Sequence, residues 1–308
     1  MSKQNYDLIG DIHGQHEKLA GLLQRLGYAR SGSTYRHPEG RQVIYLGDYI
    51  DRGPAIRETL HTVRGMVEAG DALAIMGNHE YNAVAAETPD GQGDFLRSIA
   101  KNRNGQKETK AQFTGLDSEW EEWKQWMKHL PMYLDLGGLR AVHACWDAGR
   151  IAKLQGRSIN DDDFLRLSAT RQTPEFRAVE NVLKGPELSM PSGHVFTDKE
   201  GIERRSVRVR WWDIPGTAQV SNLAMPEPFD VPGDAEPHDL RRIPVYGPEE
   251  PPVFVGHYWM PPLRPRAPLA ANIACLDYSA AFGKNPLTAY RWDGEKVLSA
   301  GKFVSGSN

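Results

Sequence analysis

Nine residues of the 308-residue sequence are of types that hold cations or move protons, and each follows a short apolar run. They are Asp11 and His13 in "GDIHG", Asp48, Asp51 and Arg52 in "GDYIDRG", Asn78 and His79 in "GNHE", His143 in "VHAC" and His257 in "VGHYW". Carboxylates, imidazoles and one amide make a mixed oxygen and nitrogen donor set. Such a set suits Mn, Fe, Zn or Ni better than Mg or Ca alone. It contains no thiolate, which argues against a structural zinc site. Singly, each residue has an ordinary explanation. A Gly-Asp at a strand end is usually a turn, and a lone buried histidine is usually a satisfied core residue. Asp51 and Arg52 can form a surface salt bridge, and His79 can cap a helix. Five strand ends that all carry donor types are a different matter, because those explanations are independent of one another.

The elements that must position these residues are legible in the hydrophobic pattern. "YDLIGDIHG" is a short apolar run ending in Gly10-Asp11. Leu19, Leu22, Leu23 and Leu26 then fall at i, i+3, i+4 and i+7, the stripe of an amphipathic helix stopped by Gly27. The design repeats with a strand from Val43 to Leu46 and a helix marked by Ile56, Leu60, Val63 and Val67 and closed by Gly70. "ALAIMGNHE" supplies a third strand. Three strand–helix units with polar residues after each strand imply a mostly parallel sheet with its site along that edge.

Residues 88–115 are polar and carry Arg97, Lys101, Arg103, Lys107 and Lys110. They read as an insertion near the site, although a solvated surface loop with a helical turn is the commoner fate of such a stretch. "DSEWEEWKQWMKHLP" predicts a helix capped by Asp117 or Ser118 and ended by Pro131. Its stripe of Trp120, Trp123, Met127 and Leu130 fits a core face better than a stacking platform. "MYLDLGGLRAVHAC" reads as a hairpin whose second strand ends at His143. Proline is dense from 214 to 268, which implies a long surface excursion before the strand "PVFVGHYW". "NIACLDYSAAFGKNPLTAYRWDGEKV" is expected to close the chain as two or three antiparallel strands, with turns at Gly283 and Asp293-Gly294.

Glu203 to Trp212 alternates strictly. Val207, Val209 and Trp211 share one face, and Arg208, Arg210 and Trp212 share the other. If the first face is core, the second can aim two arginines and an indole at the site; a solvent-facing basic strand is the plain alternative. Trp212 can stack on a nucleobase or pack in the core.

Composition bounds the functions open to such a chain. The 37 Lys+Arg against 40 Asp+Glu give a net charge of −3, no footprint for a stable nucleic-acid partner. The two cysteines, Cys145 and Cys275, have no metal or redox spacing and read as reduced, buried thiols. "MSKQNYDLIGDIHG" lacks the apolar core of a signal peptide, and no apolar run approaches the ~20 residues of a membrane helix, so the expected compartment is the cytoplasm.

"GDIHG", "GDYIDRG" and "GNHE", in that order, resemble the motifs of the calcineurin-like metallophosphoesterases, nearest the phosphoprotein phosphatase and diadenosine tetraphosphatase branch. "VHAC" stands where that family has His-Gly-Gly or His-Ala-Gly, and "GHYW" stands at its Gly-His. The resemblance covers the fold-bearing parts of about 1–150 and 250–295. It implies an α/β fold, a four-layer αββα β-sandwich flanked by helices, in one domain spanning 1–308 with insertions at about 88–130 and 150–250. It further implies two metal ions, Mn2+ first among the candidates. Asp48 would bridge them, Asp11 and His13 would hold the first, and Asn78, His143 and His257 would hold the second. The ions would share a hydroxide that attacks phosphorus in line. His79 would act as general acid, oriented by Asp51, and Arg52 would grip the phosphate. A second phosphate-binding arginine is expected in the family, and Arg208 or Arg210 is positioned in the sequence to supply it.

The implied partners are a phosphorylated small molecule, a nucleotide or a phosphoprotein. Asp51 fits the protein-phosphatase pattern, whereas the His-Ala of "VHAC" is closer to the tetraphosphatase form. Phosphomonoester or phosphoprotein hydrolysis is therefore set ahead of dinucleoside polyphosphate cleavage. A non-catalytic binding module on the same fold should show eroded donors or a lost His79, and neither is seen. A nuclease would want more basic surface and a different final histidine pattern.

Overall fold

A computed structural model describes residues 5–97, 106–191, 194–197, 201, 203–212, 219–226 and 233–306. The two larger sheets are built from β1 (Tyr6–Ile9), β2 (Gln42–Tyr45), β3 (Ala72–Ala74), β4 (Tyr133–Asp135), β5 (Arg140–Val142), β6 (Val253–Val255), β7 (Ile273–Cys275), β8 (Thr288–Trp292) and β9 (Phe303–Ser305). The helices that bear on the site are α1 (His16–Arg25), α2 (Ile56–Glu68), α3 (Asn78–Ala86), α4 (Lys107–Gln112) and α5 (Asp117–Lys128). Three more, Ala148–Leu154, Asp162–Ala169 and Pro174–Lys184, lie in the second insertion.

The first sheet has the order β9-β8-β1-β2-β3, and the second has β7-β6-β5-β4. β1, β2 and β3 run parallel, as do β5, β6 and β7. The antiparallel pairs sit toward the margins, β8 with β1 and β9 on one sheet and β4 with β5 on the other.

Period-2 geometry explains why the central strands carry apolar residues on both faces. Leu8, Ile44 and Tyr290 of the first sheet cluster with Ala141, Phe254 and Ala274 of the second. Their neighbours Ile9, Val43, Tyr45, Val253, Val255 and Ile273 belong to a separate apolar cluster that also takes in the leucines of α1 and the buried face of α2. Each sheet is thus covered on both faces, and its strands need no polar side. The layers run helix, sheet, sheet, helix. Phe254 and Tyr290 meet across the sandwich with ring centroids 5.1 Å apart. Each such buried side chain stabilises the fold by roughly 1.5–3 kcal/mol over leaving it exposed.

Most elements fall where the periodicity put them, and two expectations are corrected. The chain does not close as one antiparallel set, because β7 lies parallel beside β6 in the second sheet, while β8 joins the first sheet antiparallel to both β1 and β9. α5 has Leu116 at its N-cap with no side-chain cap, so neither Asp117 nor Ser118 serves. Trp212 is only 4 % exposed and packs 5.6 Å from Trp211. Of its two possible fates, core packing is the one seen, and it offers no surface for a base. The stripe of α5 is core as expected, with Trp123, Met127 and Leu130 buried. Both cysteines are free and buried. Lys101 and Arg103 lie outside the described residues. Among the described residues, no helix is long and apolar enough to cross a membrane.

Candidate metal centre

Every candidate donor follows the C-terminal end of a strand. β1 leads to Asp11 and His13, β2 to Asp48, β5 to His143 and β6 to His257, while Asn78 and His79 open α3 just beyond β3. The two sheets meet here. The His257 N–H donates to the Asp11 carboxylate at 3.1 Å, and His143 Nδ1 lies 2.7 Å from the Leu46 carbonyl. Motif glycines make that approach possible. A Cβ on Gly77 would collide with Oδ1 of Asp48, and one on Gly256 with Oδ1 of Asp11.

Asp48 sits between two groups of donors. Its Oδ2 is 3.6 Å from His13 Nε2 and 3.8 Å from His79 Nε2, and its Oδ1 is 3.4 Å from His143 Nε2. Donor atoms of His13, Asp48 and His79 all lie within 4.8 Å of one another, and so do those of Asp11, Asp48 and His143. The Oδ1 of Asn78 is 3.1 Å from His143 Nε2 and 2.7 Å from His257 Nδ1. Asp11, His13, Asp48, Asn78, His143 and His257 are buried, and His79 is half-buried.

The donor chemistry fits a cation. A carbonyl only accepts, so Nδ1 of His143 donates its proton to Leu46. In the neutral ring, Nε2 then presents a lone pair to the oxygens of Asn78 and Asp48. A cation among those three acceptors would satisfy them together, as would a proton on Nε2. The titration of the groups reflects the same need. Burial lowers the His143 pKa, but Asp48 and Asp11 outweigh it and carry it up to about 10. Burial raises Asp48, but His143, His79 and His13 hold it well below the usual carboxylate range. Burial, then Asp277, pushes Asp11 well above that range.

The proton-handling residues adjoin the first group. His79 Nδ1 lies 2.6 Å from Oδ2 of Asp51, and its ring stands edge-on to His13 at 4.7 Å. Arg52 reaches the same place, with its Nη1 in contact with His13 Nε2 and its guanidinium carbon 4.5 Å from the centre of the Trp259 indole. Arg208 donates from Nη1 to the His257 carbonyl at 2.9 Å, which ties it to the loop behind that histidine. Arg210 is half-buried, and its backbone N–H donates to Leu223. Five of the nine sequence candidates hold positive φ: His13 at 47°, Asp48 at 55°, Asp51 at 70°, Arg52 at 65° and His257 at 67°. Left-handed backbone costs a non-glycine residue roughly 1–2 kcal/mol, and such strain concentrates at functional sites.

Three residues that support the site were not singled out from the sequence. Glu80 is fully buried and accepts four backbone N–H groups, from Asp48 at 2.8 Å, Tyr49 at 2.7 Å, Ile50 at 3.3 Å and Gly77 at 2.9 Å. Its position three residues after the N-cap Gly77 is the acidic half of a capping-box spacing, a signal that was available. Thr109 of α4 accepts the Asp51 N–H at 3.0 Å and donates to the Asp51 carboxylate. Asp277, after β7, accepts from the N–H of Trp259 at 2.7 Å and of Ser279 at 2.9 Å.

Comparison with known proteins bears on what this arrangement does. A family model described as calcineurin-like phosphoesterase matches residues 6–213. The bis(5'-nucleosyl)-tetraphosphatases PrpE of Halalkalibacterium halodurans and Bacillus subtilis are each 40% identical over 74 residues, 24% of this chain and 30% of theirs. The chain thus spans under a third of the length of the curated relatives it matches. A serine/threonine phosphatase from Saccharomyces cerevisiae with similarity to human phosphatase PP5 shares the fold. Its TM-score is 0.54 at 13% identity, over 99% of this chain and 80% of that one.

Proposed function

Because the chain belongs to the calcineurin-like phosphoesterase family, we propose that it hydrolyses phosphate esters at a two-cation centre, within one phosphoesterase domain that carries two insertions. The observation that carries this reading is the Asp48 carboxylate, whose two oxygens face different histidine groups, His13 at 3.6 Å and His143 at 3.4 Å. Asp11, His13 and Asp48 would hold one ion, and Asp48, Asn78, His143 and His257 the other. Mn2+ suits the donors best, with Fe, Zn and Ni also compatible. When bound, the ions supply Lewis acidity that lowers the pKa of a water and neutralises phosphoryl oxygens.

The remaining chemistry falls to the side chains. Asp51, whose Oδ2 lies 2.6 Å from Nδ1 of His79, fixes the tautomer and the orientation of the ring. Nε2 of that ring is the proton donor to the leaving oxygen, worth about 10²–10⁴-fold in rate. Arg52 offers its planar fork to the phosphoryl oxygens, and lysine there would not be equivalent. Arg208 is the better candidate for the second arginine, since its guanidinium donates to the His257 carbonyl and lies beside the same indole that Arg52 contacts. Asn78 adds an oxygen donor without adding negative charge near an anionic substrate.

Asp48→Asn is expected to lose most of the bound metal, read by elemental analysis, and full occupancy would remove the shared-carboxylate role. The substrate is a phosphomonoester or phosphoprotein in the first reading. A dinucleoside polyphosphate is the second, favoured by the identity to the PrpE tetraphosphatases and by His-Ala in "VHAC". A Mn-loaded screen of p-nitrophenyl phosphate, a phosphopeptide, diadenosine tetraphosphate and a cyclic nucleotide separates them. Preference for the tetraphosphate would select the second reading, and inactivity on all four would end both.

A further inference from the structure

Trp259 follows the candidate ligand His257 by two residues and has no role so far. Its backbone is left-handed at φ 51°, as are those of His257 and Ser279. A bulky aromatic residue seldom sits there, and such strain persists only where surrounding contacts over-determine it. Those contacts are present. Asp277 accepts the Trp259 N–H at 2.7 Å and the Ser279 N–H at 2.9 Å, and Arg208 Nη1 donates to the His257 carbonyl. The loop is pinned from both sides and delivers one indole. That indole lies 4.5 Å from the guanidinium carbon of Arg52 and 5.8 Å from that of Arg208. Phe282 stands edge-on to it at 5.4 Å and lies 5.9 Å from Arg52, so a second ring flanks the same guanidinium.

An arginine side chain has four rotatable bonds, and a contact at one nitrogen, such as that of Nη1 with His13, leaves the plane of the fork able to turn. Stacking on an aromatic face restricts that plane without covering the N–H edges. We propose that Trp259 is a positioning residue that holds the guanidinium plane of Arg52, and with it the two-pronged edge offered to a phosphoryl group. The strained loop after β6 therefore orders the anion grip as well as presenting His257. This inference rests on the phosphoesterase reading of the site and deepens it.

The test uses the full chain loaded with Mn2+ and two readouts, inorganic phosphate binding by calorimetry and the KM and kcat for p-nitrophenyl phosphate. Arg52→Ala is expected to weaken phosphate binding and raise KM by about tenfold or more. Trp259→Leu is expected to shift both by about three- to tenfold, with kcat and metal content within about twofold of the parent. Trp259→Phe, which keeps a smaller ring, should lie between, and carries the comparison if the leucine variant does not fold. In the Arg52→Ala background the Trp259 substitutions should have no further effect on phosphate binding. Equal effects of the Trp259 substitutions with and without Arg52 would overturn the proposal, as would unchanged binding in both Trp259 variants while Arg52→Ala is weakened. Unchanged binding in Arg52→Ala would overturn it too, by removing the role of Arg52 on which it depends.

Discussion

Four backbone N–H groups converge on the carboxylate of Glu80, three from the loop that carries Asp48 and one from Gly77. Each oxygen takes two of them, so an amide cannot substitute, because its NH2 would face two donors in either flip. Glu80→Gln is expected to destabilise the protein by on the order of 3 kcal/mol, the cost of two unsatisfied buried groups. Thermal denaturation checks this, and an unchanged midpoint would return Glu80 to ordinary capping. His79→Asn should keep its metal yet lose about 10²–10⁴ in kcat on esters with poor leaving groups. Near-normal turnover of an alkyl phosphate would contradict a general acid there. At this scale the sequence was informative about residues whose type is unusual for their place. Histidine and aspartate after an apolar run stand out, whereas Glu80 does not, because a glutamate in the first turn of a helix is commonplace. Trp259 was silent for a different reason: what it touches is Arg52, some two hundred positions away in the chain, and no spacing encodes that.

Helix α4 shows how an element can be misread from composition. The stretch around it is polar and basic, which suggests a solvated surface, but two of its polar side chains are spent on the loop after β2. Thr109 exchanges hydrogen bonds with Asp51, and Gln112 accepts from the Ile56 N–H at 2.7 Å and donates to the Gly53 carbonyl at 3.1 Å. The helix is therefore a brace for the left-handed turn that carries Asp51 and Arg52. Thr109→Val keeps the shape and removes the hydroxyl. It is expected to lower kcat about tenfold, through a less constrained Asp51, with metal content unchanged. A kcat equal to the parent's would reduce α4 to simple packing. Elements with long hydrophobic periods, such as α1, α2 and α5, were legible because burial on one face writes itself into the sequence. The direction of β7 was not, since a three-residue apolar run reads the same parallel or antiparallel and its partner is set by crossovers. In Glu203–Trp212 the strand itself ends at Arg208, yet Val207, Val209 and Trp211 are all at 1 % exposure or less, and the alternation breaks at Trp212, which is buried as well.

The donors are divided between the two halves of the sandwich, with Asp11, His13, Asp48 and Asn78 after strands of the first sheet and His143 and His257 after strands of the second. Bound cations would thus cross-link the sheets. A chelator is expected to lower the thermal midpoint, by the equivalent of about 2.7 kcal/mol where free metal had stood at a hundred times its Kd. A midpoint indifferent to chelation would argue that the sheets do not share ions. Phe254→Ala, which empties the inter-sheet contact with Tyr290, should cost about 3–5 kcal/mol in the metal-free protein and weaken metal binding with it. Loss of stability with unaltered affinity would uncouple the core from the centre. The sandwich was legible only through the motifs, because no short apolar strand states which of two sheets it joins. One further consequence follows from the order of the first sheet, in which β1 pairs with β2 on one side and with β8 on the other. Residues as far as Trp292 must be synthesised before the first strand acquires its second neighbour. A nascent chain stalled upstream of Thr288 would present a bare, adhesive edge to chaperones and proteases.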